Sequence, residues 1–272
     1  MLINTVSGKG EVLGVTSLHD EVFLIRKGTP EVEVYNADTL KLLRRLPVKR
    51  LLDPQDMTSS VKYSCLYVAD TDQGGSGDGS VHRVELRGKI TRWTVNDWPE
   101  GVSATYNGWN VLVTCLDARK LKEYTTHGDI VREIALEESV THPQHSVQLR
   151  SGQFIVCHDW YTELHRLCIV GVEGRVTKSY GGPPGSAAGQ VDVPLRLVVD
   201  RQGYILVADV NNKRVLLSNA SLDDVRELVT EGDVSRPWTP GRLCLDEKRG
   251  RLYVAEWNSD DVLVLQVKDL SG

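Results

Sequence analysis

The sequence predicts an all-β chain folded as a propeller of six four-stranded blades, and three observations carry that prediction. Six short apolar runs recur at a near-constant spacing along its 272 residues. An independent series of prolines keeps the same rhythm. No segment shows a sustained 3.6-residue apolar period between caps, so almost no helix is expected.

The apolar runs are Val22–Arg26, Leu66–Asp70, Val111–Cys115, Phe154–His158, Ile205–Asp209 and Leu252–Glu256, and they end at intervals of 44, 45, 43, 51 and 47 residues. The prolines are Pro54, Pro99, Pro143, Pro194 and Pro240, at intervals of 45, 44, 51 and 46. Both series stretch at the same place, so one insertion explains both. A period of about 45 residues built from short β runs is the signature of propeller blades. Within each blade a first strand is expected to start two residues after the proline. A turn such as Tyr106-Asn107-Gly108 or Arg201-Gln202-Gly203 follows. The apolar run is the second strand, apolar on both faces because each blade packs between two neighbours. A loop, a third strand, a hairpin and a fourth strand complete the unit. In blade four the hairpin falls around Val172-Glu173-Gly174-Arg175. The blades are thereby placed at about 12–46, 56–95, 101–136, 145–180, 195–229 and 241–267, within one domain over 1–272.

The last blade is one strand short. After Glu256 only Asp261–Val267 fits as a strand, whereas Leu2–Val6 stands unused before blade one. The N-terminal segment is therefore expected to close the ring as the outer strand of blade six, which removes a sheet edge.

Composition narrows the function. There are 32 Lys+Arg against 37 Asp+Glu, a net charge of −5. This argues against a general polyanion binder, and DNA is not expected as a partner. Apolar runs of about five residues cannot cross a membrane, and no membrane partner is expected. The five cysteines form no CxxC pair and sit in apolar runs. Buried, reduced thiols in a cytoplasmic protein are expected.

Blade five and its lead-in read Gly185-Ser186-Ala187-Ala188-Gly189-Gln190-Val191-Asp192-Val193-Pro194, then Leu197–Asp200, Gly203–Asp209 and Asn211-Asn212-Lys213-Arg214-Val215. This order of a Gly-rich link, a proline, a VAVD-like strand and a VAD-x-x-N-x-RV core resembles the NHL repeat of six-bladed propellers in TRIM-NHL-like proteins. The likeness is recognisable again at Leu66–Asp70 with His82-Arg83-Val84, and at Leu252–Glu256; blades one, three and four diverge. The resemblance implies a non-enzymatic binding platform for a protein or peptide, or for single-stranded RNA. Ubiquitin-ligase chemistry would need upstream modules, and no C-x2-C zinc spacing or heptad run occurs here.

Candidate site residues follow from the blade map. Loops joining second to third strands share one face with the links between blades. Trp98 and Trp238 fall in predicted links, and Trp160, Tyr161 and Trp257 in second-to-third loops. These five are the expected partner-binding anchors, since Trp and Tyr bury much surface at low entropy cost. Capping of the blades beneath them is the structural alternative. The same loops hold fifteen acidic and seven basic residues. Single-stranded RNA requires a positive groove beside its stacking aromatics, so a protein or peptide is favoured. The basic cluster Arg44-Arg45 and Lys49-Arg50 keeps RNA open as the alternative.

The residue two past each proline should line the channel mouth: Asp56, Gly101, His145, Arg196 and Arg242, with Gly14 at the matching place in blade one. His145, Arg196 and Arg242 could hold an anion through charge-assisted bonds, or could pair internally with Asp209, Glu256 or Asp56. No catalytic residue, metal ligand or cofactor is expected. His142, His145, His158 and His165 lie within one blade, but their convergence on a zinc ion is not evident. A calcium-dependent lactonase-type hydrolase is the enzymatic alternative. It would need an oxygen-ligand cage at these inner positions, which carry one Asp, two Gly, one His and two Arg. No GxSxG elbow occurs, and Gly74–Gly79 lacks the Lys-Ser/Thr of a phosphate loop.

Overall fold

A computed structural model describes residues 1–71, 79–158, 162–267 and 270. Six four-stranded antiparallel sheets form the blades of a propeller. The inner strands are Val12–Leu18, Asp53–Ser60, Pro99–Ala104, His145–Gln148, Pro194–Val199 and Pro240–Asp246. Among the described residues the one helix is the turn Glu231–Val234.

The second strands carry the cores. Phe154–His158 and Ile205–Asp209 are buried at every position, as is Cys65–Thr71. Each lies in the middle of a sheet that is itself covered on both sides by neighbouring blades, so both strand faces need apolar side chains. Such burial stabilises by about 1.5–3 kcal/mol per large side chain. The core clusters cross blade boundaries: Phe23 and Ile25 of blade one pack with Leu66 and Val68 of blade two. All five cysteines are free and buried. Burial pushes the thiols of Cys115 and Cys157 up to about 12.

The ring closes as the sequence predicts. Leu2–Ser7 pairs antiparallel with Asp261–Gln266, with Thr5 opposite Leu263 and Val6 opposite Val262. The N-terminal segment is the outer strand of the sixth sheet. The Met1 amino group reaches the Gln266 carbonyl at 3.2 Å.

The inner strand of blade four starts at His145, two residues after Pro143 as expected, but those of blades two, three, five and six start earlier. The proline itself is the first residue in blades three, five and six and the second in blade two. Pro54, Pro99, Pro194 and Pro240 pair with Asp70, Cys115, Asp209 and Glu256, and the register then slips. Blade one slips likewise between Val12 and Gly14. Proline has no N–H for the ladder, so it suits a strand's first residue or a bulge. A bulge also leaves one residue unpaired and re-aims its neighbours. Five blades thus bend at the same point, just where each inner strand meets the channel.

Candidate functional site

The bulges leave backbone carbonyls facing the channel, and two arginines satisfy them. Arg196 of blade five donates through Nη2 to the Glu100 carbonyl at 2.9 Å and the Gln55 carbonyl at 3.4 Å. Its Nη1 reaches the carbonyls of Leu195 at 3.1 Å and Gln144 at 3.5 Å. Arg242 of blade six donates through Nε to the Leu13 carbonyl at 3.0 Å and through Nη2 to the Gln55 carbonyl at 3.2 Å. Together the two guanidiniums span the axis and touch all the remaining blades. A guanidinium suits this task because it offers five donors in a planar fork and stays charged.

Three of the expected channel residues form one cluster. Asp56 Oδ2 lies 3.3 Å from His145 Nε2 and 3.7 Å from Arg196 Nε, and accepts from the Val102 amide at 3.0 Å. Glu100 adds an ion pair to Arg196 Nη2 at 3.0 Å. Burial opposes the charge on Asp56, but Arg196, His145 and Arg242 outweigh it and hold the carboxyl below the usual range. For Arg196, burial is likewise outweighed, by Asp56 and Glu100, and its pKa rises. Arg242 differs. Among the described residues no carboxylate lies within ion-pair distance of it, and burial followed by the Arg196 charge pushes it down to about 10. Its guanidinium carbon instead stands 5.6 Å from the Trp257 ring centroid.

Gly14 and Gly101 leave room for this cluster. A Cβ on Gly101 would sit 2.8 Å from the Gln144 carbonyl oxygen and 2.9 Å from His145 Cδ2. One on Gly14 would sit 2.7 Å from Met57 Cβ. At these two positions the blades therefore contribute backbone alone, and blade three's side chain in the cluster is Glu100.

A cavity of about 510 Å³ runs down the axis. Asp56, His145, Arg196 and Arg242 line one end, and His19, Val61, Arg201 and Lys248 the other. Its mouth is thus at the turns between first and second strands, opposite the acidic loops. Thr16, Ser17, Thr58, Ser59 and Ser103 line the wall between.

The expected aromatic anchors are placed unevenly. Trp238 is 2 % exposed, packs into the core of blades five and six, and donates Nε1 to the Lys213 carbonyl at 2.9 Å. Its ring is core, because the link carrying it folds back beneath the Lys213 turn, and it offers no docking surface. Trp98 is half-buried, with Nε1 3.3 Å from Glu100 Oε2. Trp257 is half-buried against Val193, Leu195 and Val210. Trp160 and Tyr161 lie outside the described residues. On the opposite face, Trp109 is 55 % exposed and Tyr106 51 %. Lys62 Nζ stands 2.6 Å from the Trp109 ring centroid, and Tyr63 meets the same ring edge-on at 6.5 Å. Sequence reasoning missed this patch because it followed the long loops. The signal was there in the Tyr106-Asn107-Gly108-Trp109 turn itself. Glu100 was missed as well, although it directly follows a bulge proline.

The remaining expected partners are tied elsewhere. Asp209 accepts from the Asp192 amide at 2.7 Å, Asn212 Nδ2 at 2.9 Å and Arg214 Nε at 2.7 Å. Asp70 does the same in blade two with the Leu52 and Asp53 amides and His82 Nε2. Glu256 pairs with Arg236. The motif acids therefore pin each incoming link to the second strand it passes. His165 Nδ1 faces Asp192 at 3.0 Å, and His158 Nε2 lies 2.8 Å from Cys168 Sγ. Among the described residues no group of three His, Cys, Asp or Glu side chains is placed to hold a metal ion.

No protein-family model matches the chain, and no curated protein matches it. Solved structures show the fold. A protein of unknown function from Bacteroides thetaiotaomicron superposes with a TM-score of 0.75 at 10 % identity, covering 97 % of this chain and 72 % of that one. A streptogramin B lyase gives 0.68 at 12 % identity, covering 97 % of both chains. YCF48 bound to a D1 peptide gives 0.61 at 10 % identity, covering 96 % of this chain and 79 % of that one. The chain is a six-bladed β-propeller, a class that includes both enzymes and binding proteins. No described helix is long and apolar enough to cross a membrane.

Proposed function

We propose that the chain is a non-enzymatic binding module for a protein or peptide, and that its partner docks on the turn face over blades two and three. The exposed aromatic patch of Tyr106 and Trp109, which Lys62 and Tyr63 of blade two adjoin, carries this reading. Exposed aromatic rings of this kind anchor interfaces. The polar cluster at the far end of the channel favours binding over catalysis: Asp56, His145, Glu100 and Arg196 are engaged with one another. A peptide-bound propeller among the structural neighbours supports the same reading, as does the NHL-like Asp209–Asn212–Arg214 constellation in blade five.

The test is a displayed-peptide selection followed by calorimetry. Trp109→Ala is expected to weaken a selected peptide at least tenfold, a loss of about 1.4 kcal/mol, while Trp98→Ala leaves it unchanged. The reverse outcome would put the partner on the loop face. Tight binding of a random single-stranded RNA pool that collapses between low and moderate salt would replace the peptide reading altogether.

A further inference from the structure

The two channel arginines are alike in burial and unlike in partners. Arg196 is 2 % exposed and has both Glu100 and Asp56. Arg242 is 7 % exposed, lines the cavity, and has only backbone carbonyls and the Trp257 face. Its Nη1 makes no hydrogen bond among the described residues. A buried cation without a carboxylate is costly, and an anion brought to it repays that cost. His145 lines the same end of the cavity. Its Nε2 faces Asp56, and its Nδ1 is buried with no hydrogen-bond partner. Arg196 Nε is likewise buried with no hydrogen-bond partner, Asp56 lying beyond hydrogen-bond reach at 3.7 Å. Both of these atoms are closed off from the cavity, so the donor left open to it is Arg242 Nη1. The volume fits a small molecule, which takes about 300–1,000 Å³. The wall is hydroxyl-rich, through Ser17, Thr58, Ser59 and Ser103.

We propose that this cavity is a carboxylate-accepting site, entered from the turn face, in which Arg242 receives the carboxylate and the hydroxyl wall receives its polar substituents. Arg242 binds by charge-assisted donation, stronger than a neutral bond. At the mouth Arg201 and Lys248 present exposed cations, each with an acid close by: Glu247 at 4.0 Å and Asp20 at 2.6 Å. Selection of the anion therefore rests on the deep end. The site stands on observations separate from the aromatic patch.

Acetate, succinate and citrate are titrated by calorimetry and thermal shift, against sodium chloride and sulfate at equal ionic strength. Succinate or citrate is expected to bind and to raise Tm, with at least tenfold weaker binding in Arg242→Gln. Should that variant fail to fold, Thr58→Phe decides, because it narrows the cavity without touching Arg242; it must also cost at least tenfold. Trp109→Ala must leave succinate binding unchanged, so the failure of the peptide reading and of this one are told apart. An aspartate-bearing peptide that competes with succinate would make the carboxylate a side chain of the partner; binding of succinate without such competition would make it a free acid. No heat beyond the salt controls, equal affinity for sulfate, or unchanged binding in the folded variants would each overturn the proposal.

Discussion

The two faces of this propeller use their connections in opposite ways. On the loop side, long links run between blades, and buried acids seize their amides: Asp70 holds Leu52 and Asp53, and Asp209 holds Asp192. Trp238 is drawn into the core there, and Arg196 with Arg242 closes the channel. On the turn side the connections are short, and Lys248 and Arg249 tie the blade-six turn to Asp20 and Asp38 of blade one. Tyr106 and Trp109 stay in solvent, and the cavity opens. Length of a connection is thus a poor guide to binding in a closed ring. The long links stitch the blades together through buried acids, whereas the turns join blades through exposed ion pairs where they join them at all, and the turn of blade three presents its aromatic side chains.

The largest test of this contrast removes what both faces share. Deleting residues 1–8 strips the outer strand of blade six, so Tm is expected to fall by more than about 10 °C, or the protein to aggregate through the bared edge. An unchanged melting curve would sink the closure. Next comes the loop side alone. Arg196→Met leaves Asp56 and Glu100 short of a cation and several bulge carbonyls unmet, an expected loss of about 3–5 kcal/mol in urea unfolding. A loss under about 1 kcal/mol would mean that the guanidinium does not hold the ring. The indoles divide in the same way. Trp238→Ala should cost about 3–5 kcal/mol as a core truncation, whereas Trp109→Ala should cost at most about 1 kcal/mol, the scale of an exposed cation–π contact. Equal costs would erase the difference between the faces.

The smallest expected effect is a pH dependence. The folded Asp56 carboxyl lies below its unfolded value of about 3.9. Its contribution is therefore fully present above that unfolded value and is lost as pH falls through the lower folded one. Unfolding midpoints measured from pH 7 down to pH 3 should steepen at the acid end, and Asp56→Asn should flatten that slope. A slope shared by both proteins would assign the acid loss to other carboxylates.

Much of this architecture was legible because repetition amplifies weak signals. One apolar run ending in Asp70 says little; six such runs in step with five prolines define a ring, and the unmatched strand at each end defines its closure. The channel residues Asp56, His145, Arg196 and Arg242 were legible for the same reason, since each sits at a fixed offset in the repeat. What the repeat could not show was direction and partner. Whether Arg196 meets Glu100 or a ligand depends on a bulge that slips register by one residue. Whether a Trp lies in or out depends on how its link folds back, as Trp238 and Trp109 show. Gly14 and Gly101 looked like blanks in the series, yet close approach of Met57 and His145 requires them.

The pairing of Leu2 with Leu265 has a consequence in time. A ribosome adds about 5–20 residues per second, so the first strand waits roughly 13–50 s for the strand it must join. During that interval blades one to five can assemble in order, each on its finished neighbour, while the leading segment trails as an unpaired strand. Synthesis and closure are thereby ordered: the ring locks only when its newest strand meets its oldest. Any factor that shields a short extended strand during translation would act on this protein through residues 2–7.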